Sequence, residues 1–309
     1  MVNITEVIYV GYELELLEAH IAEHRPYVNR IVVAESAVTT TGHKKPMYVK
    51  DNWSRFEKYD VEHAEIPSDL FGKVTQSSEE AGVLEDIIEW RFQGQDKYKK
   101  EYMHPRVLKN ADWIFHGDVD EIIREDAWPI IKKDLGANMG WNHASMNLYN
   151  SIGYVNVSAL KKTQPYRWCR AANGFSVANP KFPIRQPRGI IGTGVVGWHF
   201  FSCYSRPEEF YWKMLNRPWT WGTYGDDIPT LEEAVSKIRS ILDKQGEWYK
   251  LDVTDPLLKY ITKELVIDDP AFFANRVFEI SKLPKCIQNN IDRFSRVEGN
   301  RGILSRYMV

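Results

Sequence analysis

The feature that most constrains this chain is its opening: two apolar runs separated by one amphipathic stretch. Residues 7–10 form a short apolar run ended by Gly11, and Leu14, Leu16, Leu17, Ile21 and Ala22 then recur at helical spacing up to Pro26. Residues 30–34, Arg-Ile-Val-Val-Ala, follow as an almost unbroken apolar run. A strand that alternates polar and apolar residues can face water on one side; a strand without alternation must be covered on both faces, as in a parallel sheet. Strand, helix and doubly buried strand predict a βαβ unit and hence an α/β fold.

Later segments extend the pattern. Residues 61–66, closed by Pro67, predict a third strand, 77–109 a mostly helical segment, and 113–115 a buried strand. A short helix follows Asp126 and ends near Gly136. Between 141 and 200, short apolar and aromatic runs broken by Asn, Gly and Pro predict antiparallel strands and loops. Helices return after Pro207, with 230–244 and 270–282 the clearest. The reading is one α/β domain over 1–250 with an all-β insertion, followed by a helical extension over 251–309 packed on it.

The strand at 113–115 leads into the densest chemistry of the chain. Asp112-Trp-Ile-Phe-His-Gly-Asp-Val-Asp-Glu-Ile122 delivers Asp118, Asp120 and Glu121 almost in succession. Carboxylates this close repel one another unless a cation neutralises them. Alternation along an extended backbone would aim Asp118 and Asp120 to one side. Hard oxygen ligands in that arrangement suit Mg²⁺ or Mn²⁺, which commonly also hold substrate phosphates. A solvated surface turn has the same composition; the buried strand in front is what favours a metal and diphosphate site. In open α/β sheets ligands bind beyond the carboxyl ends of strands, and Glu35 lies at another such end.

A second stretch, Gly189-Ile-Ile-Gly-Thr-Gly-Val-Val-Gly-Trp-His-Phe-Phe-Ser202, holds four glycines before an aromatic run. Glycines here, Gly194 among them, would let backbone approach a phosphate or sugar ring; a hairpin with glycine bulges is the other reading. The run has no Gly-Lys-Ser/Thr ending and does not follow the first strand, so neither a Walker loop nor a dinucleotide fingerprint is present. His199, between Trp198 and Phe200, is either a hydrogen-bonded core histidine or an imidazole ligand beside carboxylates.

Composition narrows the partners. The formal charge of −2 gives no general attraction to nucleic acid or anionic membrane. Three dispersed cysteines make neither a zinc pattern nor a disulfide framework, and no stretch of about 18 apolar residues or leader-like segment is seen. A cytoplasmic protein with no membrane span is expected. Eleven Trp and 16 Tyr supply faces on which a sugar could stack.

Four blocks together resemble the family 17 glycosyltransferases, which include the enzymes that add a bisecting N-acetylglucosamine to N-glycans. They are Glu13-Leu-Glu-Leu-Leu17; Ile31 to Ser36 running through Thr41-Gly-His-Lys-Lys-Pro46; Asp112 to Ile122; and Gly197-Trp-His-Phe200, in the family's order. The resemblance implies a GT-A fold: a Rossmann-like, mostly parallel central sheet flanked by helices, with a smaller antiparallel sheet on the acceptor side. It implies a nucleotide-sugar donor, UDP-linked (UDP-GlcNAc or another UDP-hexose), Mn²⁺ or Mg²⁺, and inversion at the anomeric carbon. By the same resemblance Asp118 and Asp120 look like the Asp-x-Asp pair holding metal and diphosphate, and His199 like the histidine that completes the metal's coordination. Glu35 begins the first nucleotide-contacting loop, and Arg106 is similar to an arginine the family places before the metal strand, where it could neutralise phosphate.

One departure concerns the base that takes the acceptor's proton. Family members carry a Ser/Ala-His-x-Glu segment shortly after Trp-His-Phe, and this chain does not. No Asp or Glu occurs between Asp134 and Glu208, so Asp226 and Asp227 are the nearest later candidates, with Glu121 a rival. Trp219, Trp221 and Tyr224 are candidates for an acceptor platform. The acceptor itself is a glycan, lipid-linked sugar, protein or modified DNA base. Rival readings are a metal-dependent nucleotidyltransferase or phosphohydrolase, which would also use acidic strand ends, and a non-catalytic carbohydrate-binding relative.

Overall fold

The computed structural model describes residues 2–39, 43–67, 111–138, 143–152, 154–158, 166–173, 189–200, 207–216, 229–243 and 280–294. The βαβ opening is present: β1 (Ile4–Val10), α1 (Leu14–His24) and β2 (Arg30–Ser36). From Ile31 onward the run on β2 is buried, with Ile31, Val33 and Ala34 fully inaccessible, as its lack of alternation predicts. A short helix α2 (Tyr48–Asp51) precedes β3 (Glu62–Ile66). β4 (Trp113–Asp118) inserts beside β1, so β3, β2, β1 and β4 lie in that order, all parallel.

The remaining strands are β5 (Glu121–Ile123), β6 (His143–Ile152), β7 (Tyr154–Ser158), β8 (Tyr166–Asn173) and β9 (Gly189–His199). They continue the same sheet in the order β4-β8-β6-β9-β5, with β7 paired to β6. The predicted smaller sheet is thus joined edge-on to the parallel part, since β8 pairs antiparallel with β4. Pairing is antiparallel for β8–β6 and β5–β9 but parallel for β6–β9.

Helices α3 (Trp128–Ala137), α4 (Pro207–Asn216), α5 (Leu231–Asp243), α6 (Lys285–Gln288) and α7 (Ile291–Phe294) complete the described elements. At the start of α5, Thr230 and Glu233 form a reciprocal cap: the Glu233 carboxylate accepts from the Thr230 amide at 2.9 Å, and the Thr230 hydroxyl accepts from the Glu233 amide at 3.3 Å. No described helix is long and apolar enough to cross a membrane. The helix predicted over 77–109 lies outside the described residues; of 270–282 only Ile280–Lys282 is described, as a 3₁₀ turn.

One core joins both parts of the sheet. Leu14, Leu17 and Ile21 of α1 pack with Ile4 and Ile8 of β1, Trp113 and Phe115 of β4, and Trp128 and Ile131 of α3. The segment at 280–294 docks on this unit through Glu23 of α1, whose carboxylate accepts from the backbone amides of Glu125, Lys285 and Cys286 at 2.9–3.2 Å. The Trp198 indole adds a bond to the Lys282 carbonyl at 3.0 Å.

Candidate active site

The acidic stretch folds differently from a simple alternating strand end. β4 runs on through Gly117 to Asp118, the chain turns at Val119 and Asp120, and Glu121 starts β5. Alternation therefore stops at the turn. Asp118 is exposed, whereas Asp120 is 3% exposed and Glu121 2%. The turn lies at the carboxyl ends of the parallel strands: Asp118 is in register with Tyr9, Glu35 with Val10, and the Val119 amide donates to the Tyr9 carbonyl at 3.2 Å.

β9 closes the site from the other side. Glu121 is in register with His199 across the β5–β9 pair, and the Phe200 amide donates to the Asp120 carbonyl. His199 Nε2 thereby comes within 3.6 Å of Asp120 Oδ2. The glycines make this crossing possible. A side chain at Gly197 would place its Cβ 2.3 Å from the Ile122 carbonyl oxygen, and Gly192 and Gly194 have φ of +77° and +76°, a left-handed backbone that glycine alone adopts cheaply. The run is one long strand with register irregularities, not a hairpin.

Asp120 has a second neighbour, the ammonium of Lys213 on α4, whose Nζ is 3.3 Å from the same Oδ2 and 3.9 Å from Glu13 Oε1. Burial alone would push the Asp120 carboxyl up; the Lys213 ammonium and the His199 imidazole reverse this and hold it far below the usual carboxylate range. Glu13 goes the other way. Its burial outweighs Lys213, and the nearby Asp120 charge adds to the rise.

Glu35 is fully buried. Oε1 accepts from the Val49 amide at 2.9 Å, and Oε2 from the Lys50 amide at 3.1 Å and from His63 Nε2 at 3.3 Å. Lys45 Nζ stands 3.7 Å away. Burial lowers the Lys45 ammonium, an effect that Glu35 and then Glu13 oppose. Glu35, Lys45, Glu13, Lys213 and Asp120 thus form an array in which carboxylates alternate with lysines, with His199 beside its last member.

Of the residues singled out in the sequence, the fold brings Asp120, Glu121 and His199 together, with Asp118 at the open side. Glu121 points inward, its Oε2 accepting from the Asp118 amide at 3.1 Å. Gly194 is exposed, with nothing within 4 Å of where a Cβ would stand. Arg106, Asp226 and Asp227 lie outside the described residues, as do Trp219, Trp221 and Tyr224. Sequence reasoning missed Glu13, Lys45 and Lys213. The first two lie in blocks already notable, but a single lysine on α4 carries no local signal.

The residues fit a divalent cation. Two ligands sharing one ion at about 2.1 Å each stand roughly 3–4 Å apart, and Asp120 Oδ2 and His199 Nε2 satisfy this. The Lys213 ammonium occupies the same cradle and would have to swing aside.

No curated protein matches the chain in sequence. Solved structures similar to it include 4-diphosphocytidyl-2C-methyl-D-erythritol synthase from Anaerococcus prevotii, at 9% identity and TM-score 0.34, covering 60% of this chain and 80% of that one. They also include glucosyl-3-phosphoglycerate synthase from Mycobacterium tuberculosis in complex with Mn²⁺, UDP and phosphoglyceric acid, at 16% identity and TM-score 0.30. That match covers 56% of each chain, so the protein spans little more than half the length of that synthase. The profile of glycosyltransferase family 17 matches residues 2–219, well over half of the chain, and the chain belongs to that family.

Proposed function

We propose that the protein transfers a sugar from a UDP-linked donor, UDP-GlcNAc or another UDP-hexose, to an acceptor hydroxyl with inversion at the anomeric carbon. In this reading Asp118, Asp120 and His199 hold Mn²⁺ or Mg²⁺ and, through it, the donor diphosphate. The observation that supports it most directly is the meeting of Asp120 and His199 at 3.6 Å beyond the strand ends, in a chain of this family. The cation, when bound, neutralises charge that grows on the diphosphate as it leaves.

The chain's own residues supply the rest. Lys213, which stands against Asp120 and Glu13, would turn its ammonium toward the donor diphosphate when a cation takes its place on Asp120. Glu35 acts on the nucleotide through the loop it anchors, because its oxygens are taken by Val49, Lys50 and His63. Arg106 offsets phosphate charge, and Gly194 gives the donor close approach to backbone. The base that takes the acceptor proton is Asp226 or Asp227; Glu121 is the weaker choice, since it is buried against the Asp118 amide. Residues 1–250 form the catalytic domain and 251–309 an extension packed on it. The acceptor is a glycan or another hydroxyl compound, a modified DNA base included, and the protein works in the cytoplasm.

A thermal-shift panel of nucleotide sugars with and without Mn²⁺ tests the reading, because a ligand held only by the folded state raises its stability by mass action. The expected result is a stabilisation by a UDP-sugar that needs Mn²⁺ and disappears in Asp120→Ala. A shift that survives in Asp120→Ala refutes the donor site.

A further inference from the structure

Behind the turn that carries Asp120 lies a second group of ionisable side chains with no place in the array above. Glu6 projects from β1, and His20 and His24, one helical turn apart on α1, share a face. They are 3%, 1% and 0% exposed. Glu6 Oε1 stands 3.0 Å from His20 Nε2 and 2.8 Å from His24 Nδ1. The outer nitrogen of each ring reaches the acidic hairpin. His20 Nδ1 is 3.0 Å from the carbonyl oxygen of Val119, the residue between Asp118 and Asp120. His24 Nε2 is 2.8 Å from the Ile123 amide nitrogen.

These partners place the protons. A carbonyl oxygen only accepts, so His20 Nδ1 carries hydrogen; its Nε2 faces a carboxylate, which also accepts, so the ring donates from both nitrogens as imidazolium. An amide N–H only donates, so His24 Nε2 is bare and its proton sits on Nδ1, directed at Glu6. Burial lowers the His24 imidazole, in keeping with a neutral ring. Burial would raise Glu6, but His24 and His20 overcome it and hold the carboxyl at about 2.

The three ligating atoms also lie within 4.8 Å of one another, close enough to invite a metal ion. The hydrogen bonds argue against one. A ring bound to metal through Nδ1 carries its proton on Nε2, where it would collide with the Ile123 N–H.

We propose that Glu6, His20 and His24 are positioning residues, a buried brace that grips the acidic hairpin at Val119 and Ile123 and so sets the separation of Asp118, Asp120 and Glu121. The proposal rests on the reading of Asp118 and Asp120 as the cation seat. Three carboxylates within four residues have strong electrostatic reason to spread, and a clamp from the buried side opposes this without occupying the open side.

Two measurements on the full chain test it. Side-chain nitrogen-15 spectra should show His20 protonated on both nitrogens and His24 on Nδ1 alone; a proton on His24 Nε2, or stoichiometric Zn²⁺ retained by the Asp120→Ala variant, whose other cation seat is broken, after dialysis against that ion, overturns the brace. Mn²⁺ affinity is then compared among wild type, Asp120→Ala, His20→Gln, Glu6→Gln and the core control Leu17→Ala, under conditions where each is folded. His20→Gln and Glu6→Gln should weaken Mn²⁺ on the order of 10- to 100-fold, as loss of a supporting shell does, while Leu17→Ala loses stability and keeps affinity. Wild-type affinity in both brace variants, or an equal loss in Leu17→Ala, overturns the proposal even where Asp120→Ala abolishes binding. A wild type that binds no Mn²⁺ overturns the cation seat, and the role of the brace with it.

Discussion

The Phe200 amide donates to the Asp120 carbonyl at 2.6 Å, so the strand carrying His199 is tied by backbone to the turn carrying Asp120. The bond continues the β5–β9 pairing, in which Glu121, Ile122 and Ile123 face His199, Trp198 and Gly197. The geometry of the candidate site is therefore set by backbone pairing, and only secondarily by the side chains that meet there.

Gly197→Ala should disrupt that pairing. Its Cβ would stand 2.3 Å from the Ile122 oxygen and 2.8 Å from the Ile123 Cα, both backbone atoms that cannot rotate away. The strands must separate, at an expected cost of about 3 kcal/mol or more. Urea unfolding should show the loss, and binding of a UDP-sugar should fall with it even though no ligand-facing side chain has changed. A stability within about 0.5 kcal/mol of wild type, the range of a neutral surface change, would contradict the close approach.

Lys213→Met removes the ammonium from between Asp120 and Glu13. Breaking one side of a buried ion pair typically costs 3–5 kcal/mol; with the lysine side chain 18% exposed, about 2–3 kcal/mol is expected here. Added Mn²⁺ should raise the melting temperature of the variant more than that of wild type, because the ion no longer displaces a resident ammonium. Thermal unfolding with and without Mn²⁺ checks both effects, and an equal shift in the two proteins would mean that Lys213 and the cation do not compete.

What could be read from the sequence divides by range. β1, α1 and β2 were legible because doubly buried strands and amphipathic helices leave local periodicity. Asp118, Asp120 and His199 were legible as residue types, but the inward turn of Asp120 depends on β5 pairing with β9, a contact that no short window contains. The glycine run stayed open between a phosphate or sugar cradle and a hairpin with bulges because residues without side chains carry no hydrophobic pattern; the chain uses Gly197 as a point of strand contact. Lys213 reaches Asp120 across 93 residues, and one lysine on an amphipathic helix is indistinguishable from solvated charge. Glu6 lay just outside the expected strand, so its burial against two histidines of α1 had no precursor in the pattern.

Glu35→Gln should loosen the loop after β2. The carboxylate accepts from the Val49 amide with one oxygen and from the Lys50 amide with the other. Glutamine keeps one acceptor and turns an NH₂ donor toward the remaining N–H, leaving a buried donor unsatisfied at a cost of about 2 kcal/mol. Faster hydrogen exchange at Val49 or Lys50, with a matching drop in denaturant stability, is the expected result. Unchanged exchange at both amides would show that Glu35 does not anchor the loop.

The buried Glu6 and His24 give stability a defined dependence on pH. His24 has its imidazole lowered from the ordinary 6.5 by burial. Below that value the unfolded chain takes up a proton that the folded chain refuses, so stability falls as pH drops through 6.5 toward the folded value. Glu6 acts in the same sense further down: the unfolded carboxyl protonates near 4.5 and the folded one at about 2, so its contribution is complete above 4.5 and is lost between the two. Each group adds up to about 1.4 kcal/mol per pH unit within its window. His24→Gln separates the contributions, because a glutamine can still donate to Glu6 and accept from the Ile123 amide but does not titrate. Urea unfolding from pH 7.5 to 5 should show a shallower loss of stability in His24→Gln than in wild type below pH 6.5, by at most about 1.4 kcal/mol per unit. Identical slopes would mean that His24 takes its proton equally well in both states, which its burial against the Ile123 amide does not allow.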